Sequence, residues 1–431
     1  MNICCIFGTV IDESHRSSSK KNTFVAIKFF ITFNPYFFSR EKRITQSMST
    51  FSLSSKLPHV GTTIFTVMSA LAKEQHAINL SQGFPDFPCD EKLISLVSKY
   101  MRKHFNQYAP MAGVMALREQ IVEIVQEMYG ATYNPETEVT ITTGATEALF
   151  CAITAIVKEG DEVLVFEPAY DSYIPAIELC GGVPVCIQLE YPSYKVDWDK
   201  VKRLINQRTR LILINTPQNP TGSILTEEDL AELEKLVRTN DIFVISDEVY
   251  EHIIFDDLSH ASVARFPDLA AKSMVISSFG KSMHTTGWKV GFCLAPPKLT
   301  RELRKVHQYV TFSTSTPFQY AIADYLKNHR DEILHLSSFY QQKRDLFLQL
   351  MEGSRFKPIP CSGTYFQLMN YSAISNKPDQ EFAQWLTKTH KVASVPVSVF
   401  YRFKEDHKVV RFCFAKEDET LKQAAEILRK V

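Results

Sequence analysis

"RLILINTPQNPTGSILTEEDLAELEKLVRTNDIFVISDEVY", residues 210–250, decides the fold class. Two apolar runs, "RLILINT" (210–216) and "DIFVIS" (241–246), bracket a segment with helical spacing, "TEEDLAELEKLVRTN" (226–240). Runs this short and this apolar read as strands buried on both faces, and a helix between two of them is the connection a parallel sheet needs. Thr226, followed three residues later by Asp229, has the form of a capping box and marks where the helix starts.

The same alternation extends towards the N-terminus. "EVTITT" (138–143), "EVLVFE" (162–167) and "VPVCIQL" (183–189) read as further buried strands, and "AGVMALREQIVEIVQEMYG" (112–130) as a helix that closes on Gly130. The prediction is an α/β protein with a mostly parallel sheet covered by helices on both faces, and in such sheets ligands bind beyond the carboxyl ends of the strands. After residue 330 a long amphipathic helix, "DEILHLSSFYQQKRDLFLQLME" (331–352), leads into strands and a last helix, which predicts a second, smaller α/β domain. The expected division is an extension over 1–47, a segment over 48–90 that joins the small domain, a large domain over 91–329 and the small domain over 330–431. The extension carries "FVAIKFFITFNPYFF" (24–38), interrupted by Lys28, Asn34 and Pro35. A membrane span needs about 20 apolar residues, and the order of a secretory signal is missing. Residues 1–47 are therefore expected to be disordered or non-native, with Met48 as an alternative start and a targeting segment as the minor alternative.

Composition limits the partners. With 431 residues and 45% hydrophobic content, the chain can bury two substantial cores. Lys plus Arg and Asp plus Glu are 48 each, so no net field draws it to nucleic acid or to an anionic membrane, and a small molecule is the expected partner. Nine scattered cysteines without a CxxC pair suit a reducing cytoplasm.

Several polar stretches fall where the sheet would place ligands. "TTGATEAL" (142–149) turns from strand to helix, so the amides of Gly144, Ala145 and Thr146 form either an ordinary capped turn or an anion cradle. "NTPQNPTG" (215–222) is a rigid turn that can fix the amide of Asn219, although turn chemistry alone also explains it. In "SDEVYEH" (246–252), Asp247 is an exposed or capping carboxylate, or a functional one. A metal site from Asp247, Glu248, Glu251 and His252 lacks the HExxH type of spacing, so no metal is expected. "SSFGKSMHTTGWKVGF" (277–292) ends like a P-loop, but Val275 stands where the loop's first glycine belongs. Lys281 could instead use its amine covalently on a carbonyl compound.

Taken with "LSQGFPDFP" (80–88), "NQYAP" (106–110), "EPAYDSY" (167–173), "GTYF" (363–366) and "VRFCFA" (410–415), these stretches resemble the fold-type I, class I/II aminotransferases that depend on pyridoxal 5'-phosphate. The likeness runs from about residue 50 to the C-terminus and leans towards the methionine and kynurenine aminotransferase group. It implies a catalytic lysine at Lys281, 34 residues after Asp247, that bonds the cofactor and then serves as the proton-transfer base. It implies that Asp247 keeps the ring nitrogen protonated, that Asn219 and Tyr250 donate to the ring oxygen and that Tyr170 stacks on the ring. Gly144, Ala145, Thr146, Ser278 and Lys289 would hold the phosphate. Lys289 replaces an arginine common in relatives, a point charge in place of a two-pronged contact.

For the substrate, the resemblance gives Arg411 the carboxylate, with Gly83 and Asn219 as further contacts and Phe65 lining the side-chain pocket. Tyr108 of a "QY" motif would reach the neighbouring subunit's phosphate, which implies a homodimer with shared sites. Each residue also has a bland reading: a strand-edge arginine at Arg411, a core aromatic at Tyr170, a helix-cap or core tyrosine at Tyr108. The expected function is transfer of the amino group of methionine and aromatic amino acids, kynurenine among them, to a 2-oxo acid. Two rivals stand beside it, a cysteine-S-conjugate β-lyase with the same cofactor residues and a non-catalytic binding protein that retains the fold.

Overall fold

In the computed structural model, residues 53–431 are described, and the reading of residues 1–47 lies outside them. The quoted stretch folds as a strand at Thr209–Asn215, a helix at Glu227–Thr239 and a strand at Phe243–Asp247, and the two strands pair in parallel. The capping box forms: Thr226 accepts from the Asp229 amide while the Asp229 side chain accepts from the Thr226 backbone.

These strands lie within a seven-stranded sheet. Its order is Val139–Thr142, Gly291–Leu294, Ser273–Ser278, Phe243–Asp247, Thr209–Asn215, Glu162–Glu167, Val183–Gln188. Only Gly291–Leu294 runs against its neighbours. Side chains alternate between two cores, as the period of a strand requires. Ile212 and Ile214 face a core shared with Leu230 and Leu233 of the helix Glu227–Thr239. Leu211 and Leu213 face another, shared with Ala148 and Leu149 of the helix Gly144–Ile156 and with Leu299 and Leu303 of the helix Pro297–Val310. Truncating a fully buried leucine of this kind to alanine costs about 2–5 kcal/mol.

A second sheet of four antiparallel strands has the order Val395–Pro396, Val409–Cys413, Phe366–Asn370, Lys357–Pro358. Phe347, Phe382, Val410, Phe412 and Leu421 pack into its core. Ile78–Asn79, near the start of the described chain, pairs in parallel with Val392–Ala393.

Three features depart from the sequence reading. The long helix expected over 331–352 is broken at His335 into Asp331–Leu334 and Leu336–Leu350. Ser273–Ser278 and Gly291–Leu294, which flank the Lys281 stretch, are strands of the large sheet that apolar runs did not mark. The first mixes three serines with three hydrophobes, and the second has only 4 residues. The helix over 112–130 is confined to Met115–Tyr129 and closes on Gly130 in the left-handed region at φ 68°. Among the described residues no helix is long and apolar enough to cross a membrane.

Candidate active site

Five parallel strands deliver polar groups from their carboxyl ends into one cavity of about 160 Å³. Val139–Thr142 leads to Gly144, Ala145 and Thr146; Glu162–Glu167 to Tyr170; Thr209–Asn215 to Asn219; Phe243–Asp247 to Asp247 and Tyr250; Ser273–Ser278 to Ser278 and Lys281. Lys289 closes the lining.

At one end the backbone turns into the helix Gly144–Ile156. Gly144 has φ 76°, and a Cβ there would lie 3.1 Å from the Lys289 amine. Gly291 lets this turn approach the sheet, since its own Cβ would lie 2.8 Å from the Ala145 nitrogen. Ser278 caps the short helix Phe279–Ser282 by accepting from the Gly280 amide. Lys289 makes no ion pair among the described residues, and its amine lies beside the N-terminus of the helix Gly144–Ile156, so two positive ends face the same space.

Asp247 is 3% exposed, which removes the reading of an exposed carboxylate. Its Oδ2 accepts from the Tyr173 hydroxyl at 2.6 Å and its Oδ1 from the Val249 amide at 3.3 Å. Burial pushes its carboxyl up to about 6, and these two donors, together with the positive charge of Lys281, hold it from going further. Tyr173 stays a protonated donor because burial drives its own pKa well above the ordinary value. Behind it Glu248 and Glu251 are engaged elsewhere, Glu248 with His260 and Ser246, Glu251 with Tyr129 and Ser277.

Burial pulls the Lys281 amine down to about 8, with Arg411 and Lys289 adding to the effect and Cys413 and Asp247 opposing it. Its Nζ donates to the Tyr365 hydroxyl at 2.8 Å and to the Gly83 carbonyl at 3.4 Å. The Tyr250 ring centre lies 5.4 Å from Nζ.

Arg411, on the strand Val409–Cys413, is 1% exposed and no edge residue. Nη1 donates to Asn219 Oδ1 at 2.6 Å and Nη2 to the Ser81 carbonyl at 3.3 Å, while the buried Nε has no partner. Phe366 stacks against the guanidinium at 3.7 Å and Phe65 lies 5.2 Å away. A Cβ on Gly83 would meet Phe366 at 2.8 Å, so only glycine fits.

Tyr108 stands apart from the cavity. It is 84% exposed, neither core nor cap, and packs edge-on against Phe312 in a groove with Ser313–Pro317. Sequence reasoning gave no role to Tyr173, Asn215 or Tyr365. Asn215 donates to the Asp247 carbonyl and accepts from the Asn219 amide, which fixes the turn that carries Asn219. The second tyrosine of "EPAYDSY" and the tyrosine of "GTYF" were the available signals.

Ligand groups gathered at the carboxyl ends of a mostly parallel sheet, with a smaller antiparallel sheet supplying a buried arginine, make this the type I fold of pyridoxal-phosphate-dependent transferases. The chain belongs to the aminotransferase class I and II family, whose model matches residues 75–428. It is 50% identical over 377 residues to the methionine aminotransferase of Escherichia coli (strain K12), covering 88% of this chain and 98% of that protein. A crystal structure of an E. coli protein with methionine aminotransferase function superposes with a TM-score of 0.87 at 50% identity, over 88% of this chain and 100% of the other. The kynurenine–oxoglutarate transaminase of Dictyostelium discoideum is 33% identical over 423 residues, 89% of this chain and 97% of that one. Members of this family use pyridoxal phosphate.

Proposed function

We propose that this aminotransferase holds pyridoxal 5'-phosphate in the cavity around Lys281 and Asp247 and moves the amino group of methionine, and of aromatic amino acids including kynurenine, to a 2-oxo acid. The observation that carries the reading is a lysine amine, a buried carboxylate and an anion cradle sharing one cavity. The donor set fits the cofactor. The amides of Gly144–Thr146, Ser278 and Lys289 would hold a phosphate at the helix N-terminus. Asp247 would hold a protonated ring nitrogen, whose charge offsets the burial that now raises its carboxyl. Asn219 and Tyr250 would hold the ring oxygen, and Tyr170 the ring face.

When bound, the cofactor supplies a conjugated ring that takes up the electron pair left at the substrate Cα. Lys281 Nζ, brought near neutrality by burial, takes the proton from Cα and delivers it again on the far side of the transfer. The unpartnered Nε of Arg411, beside Nη1 and Nη2, offers a two-pronged contact to the α-carboxylate, and Asn219 and Gly83 complete that end.

Phe65 would wall the side-chain pocket, and an aromatic wall accepts a thioether or a ring. Burying an unpaired distal carboxylate there costs several kcal/mol, so aspartate is a poor donor. The active form is a homodimer in which Tyr108 of the partner subunit completes each phosphate site, and scattered cysteines without a CxxC pair support a cytoplasmic enzyme. The test is kcat/KM for methionine, phenylalanine, kynurenine and aspartate with one common oxo-acid acceptor. Methionine is expected to lead, and a series led by aspartate overturns the substrate assignment.

A further inference from the structure

Lys281 makes its shortest polar contact with a residue that the reaction as described above does not use. Its Nζ donates to the Tyr365 hydroxyl at 2.8 Å, and that hydroxyl donates to the Gly83 carbonyl at 2.6 Å. Three distant stretches of chain therefore meet at the lysine amine. Tyr365 is fully buried, with its ring edge-on to Tyr250 at 5.2 Å, edge-on to Phe366 at 4.8 Å and tilted against Tyr340 at 5.6 Å. Thr364 precedes it in the left-handed region at φ 69°, and the strand Phe366–Asn370 follows. Ring and backbone together leave the phenol oxygen little freedom to move.

We infer that Tyr365 is a positioning residue for Lys281, an acceptor that orients the lysine amine while leaving its lone pair free for the substrate proton. This rests on the reading of Lys281 as the proton carrier. A phenol has one proton, and here it is committed to the Gly83 carbonyl. Towards Lys281 the oxygen can therefore only accept. Had the phenol donated to the amine, it would have occupied the very pair that must take the proton from Cα. Burial keeps Tyr365 protonated, with its pKa well above the ordinary value, so the contact has the same polarity across the working pH range. Gly83 thereby joins two tasks: its carbonyl fixes Tyr365, and its lack of a Cβ admits Phe366 against Arg411.

Tyr365→Phe tests this, because the ring keeps its packing and only the hydroxyl is lost. In the holoenzyme kcat for methionine should fall about ten-fold or more, with KM within about threefold of wild type. The isotope effect with Cα-deuterated methionine should grow, because a misdirected base slows the proton step. The second readout needs no turnover. In cofactor-free protein, the pH midpoint for acylation of Lys281, followed by mass spectrometry of its peptide, should move down by about half a unit, since the ammonium loses an acceptor. If the phenylalanine variant does not accumulate, Tyr365→Met fills the slot with an apolar chain and is read by the same two measures.

A kcat within about twofold of wild type overturns the proposal. So does an unmoved acylation midpoint, and so does a parallel loss in kcat and KM with an unchanged isotope effect, which marks a merely structural role. Should wild-type protein fail to transaminate, the functional reading falls. The midpoint shift would still report the contact between Tyr365 and Lys281.

Discussion

Arg411 Nη1 donates to Asn219 Oδ1 at 2.6 Å, tying the strand Val409–Cys413 of the antiparallel sheet to the turn after Thr209–Asn215 in the parallel one. The turn asparagine assigned to the ring and the arginine assigned to the substrate are thus fixed by each other before any ligand arrives. Arg411→Lys keeps a charge but removes the fork. It should lower kcat/KM for methionine roughly 30- to 100-fold, about 2–3 kcal/mol, mostly through KM, while the cofactor absorbance persists. Steady-state kinetics beside a visible spectrum check this.

Asp247 separates function from stability. Its carboxyl is raised to about 6 from an ordinary 3.8, so the folded state holds its proton more tightly than the unfolded chain. The contribution to folding is then most favourable below the unfolded value and is lost as pH rises through about 6, a penalty on the order of 3 kcal/mol above it. Asp247→Asn removes that penalty, and the amide oxygen can still accept from Tyr173. The cofactor-free variant should melt no lower than cofactor-free wild type at pH 7.5, while turnover falls at least ~10²-fold. Thermal denaturation and a methionine assay read the two effects separately.

The buried lysine makes a pH prediction of its own. The folded state favours the neutral amine, so the reactive fraction rises as pH climbs through about 8 instead of the ordinary 10.5. In cofactor-free protein, acylation of Lys281 should be half-complete near that pH, when the exposed lysines are still largely protected. Peptide mass spectrometry across a pH series measures both in one sample.

Tyr108 is exposed at 84% and does not line the cavity of its own chain. With shared sites, a mixture of Lys281→Ala chains and Tyr108→Ala chains should regain activity, because half of each mixed dimer's sites carry both residues. Recovery towards about a quarter of wild type is the upper bound for random pairing. No recovery after mixing and refolding contradicts the shared site.

The parallel sheet was legible because both its faces are buried, so strands such as Leu211–Ile214 are apolar at every position. The strands beside Lys281 were not, since Ser278 already serves the cavity, Ser277 is tied to Glu251 and Gly291 is there to let the cradle approach. The residues proposed to face the cofactor stood out as polar groups at strand ends, and all of those read for the phosphate and ring line one cavity except Tyr108. The residues that orient them were hidden. Tyr173 and Tyr365 are spelled like core aromatics, and only the fold reveals that each hydroxyl meets a charged group. The break at His335 was equally invisible, because the apolar spacing continues across it.

The central claim is that Lys281 bonds the cofactor and moves the proton, and one spectrum with one assay tests it. Wild-type protein loaded with pyridoxal 5'-phosphate should show a visible absorption band that borohydride fixes as a mass increase on the Lys281 peptide. Lys281→Ala should bind the cofactor without that fixation and lose turnover by about 10⁴-fold or more. A variant that kept the wild-type band and transaminated methionine at a near-normal rate would contradict the account.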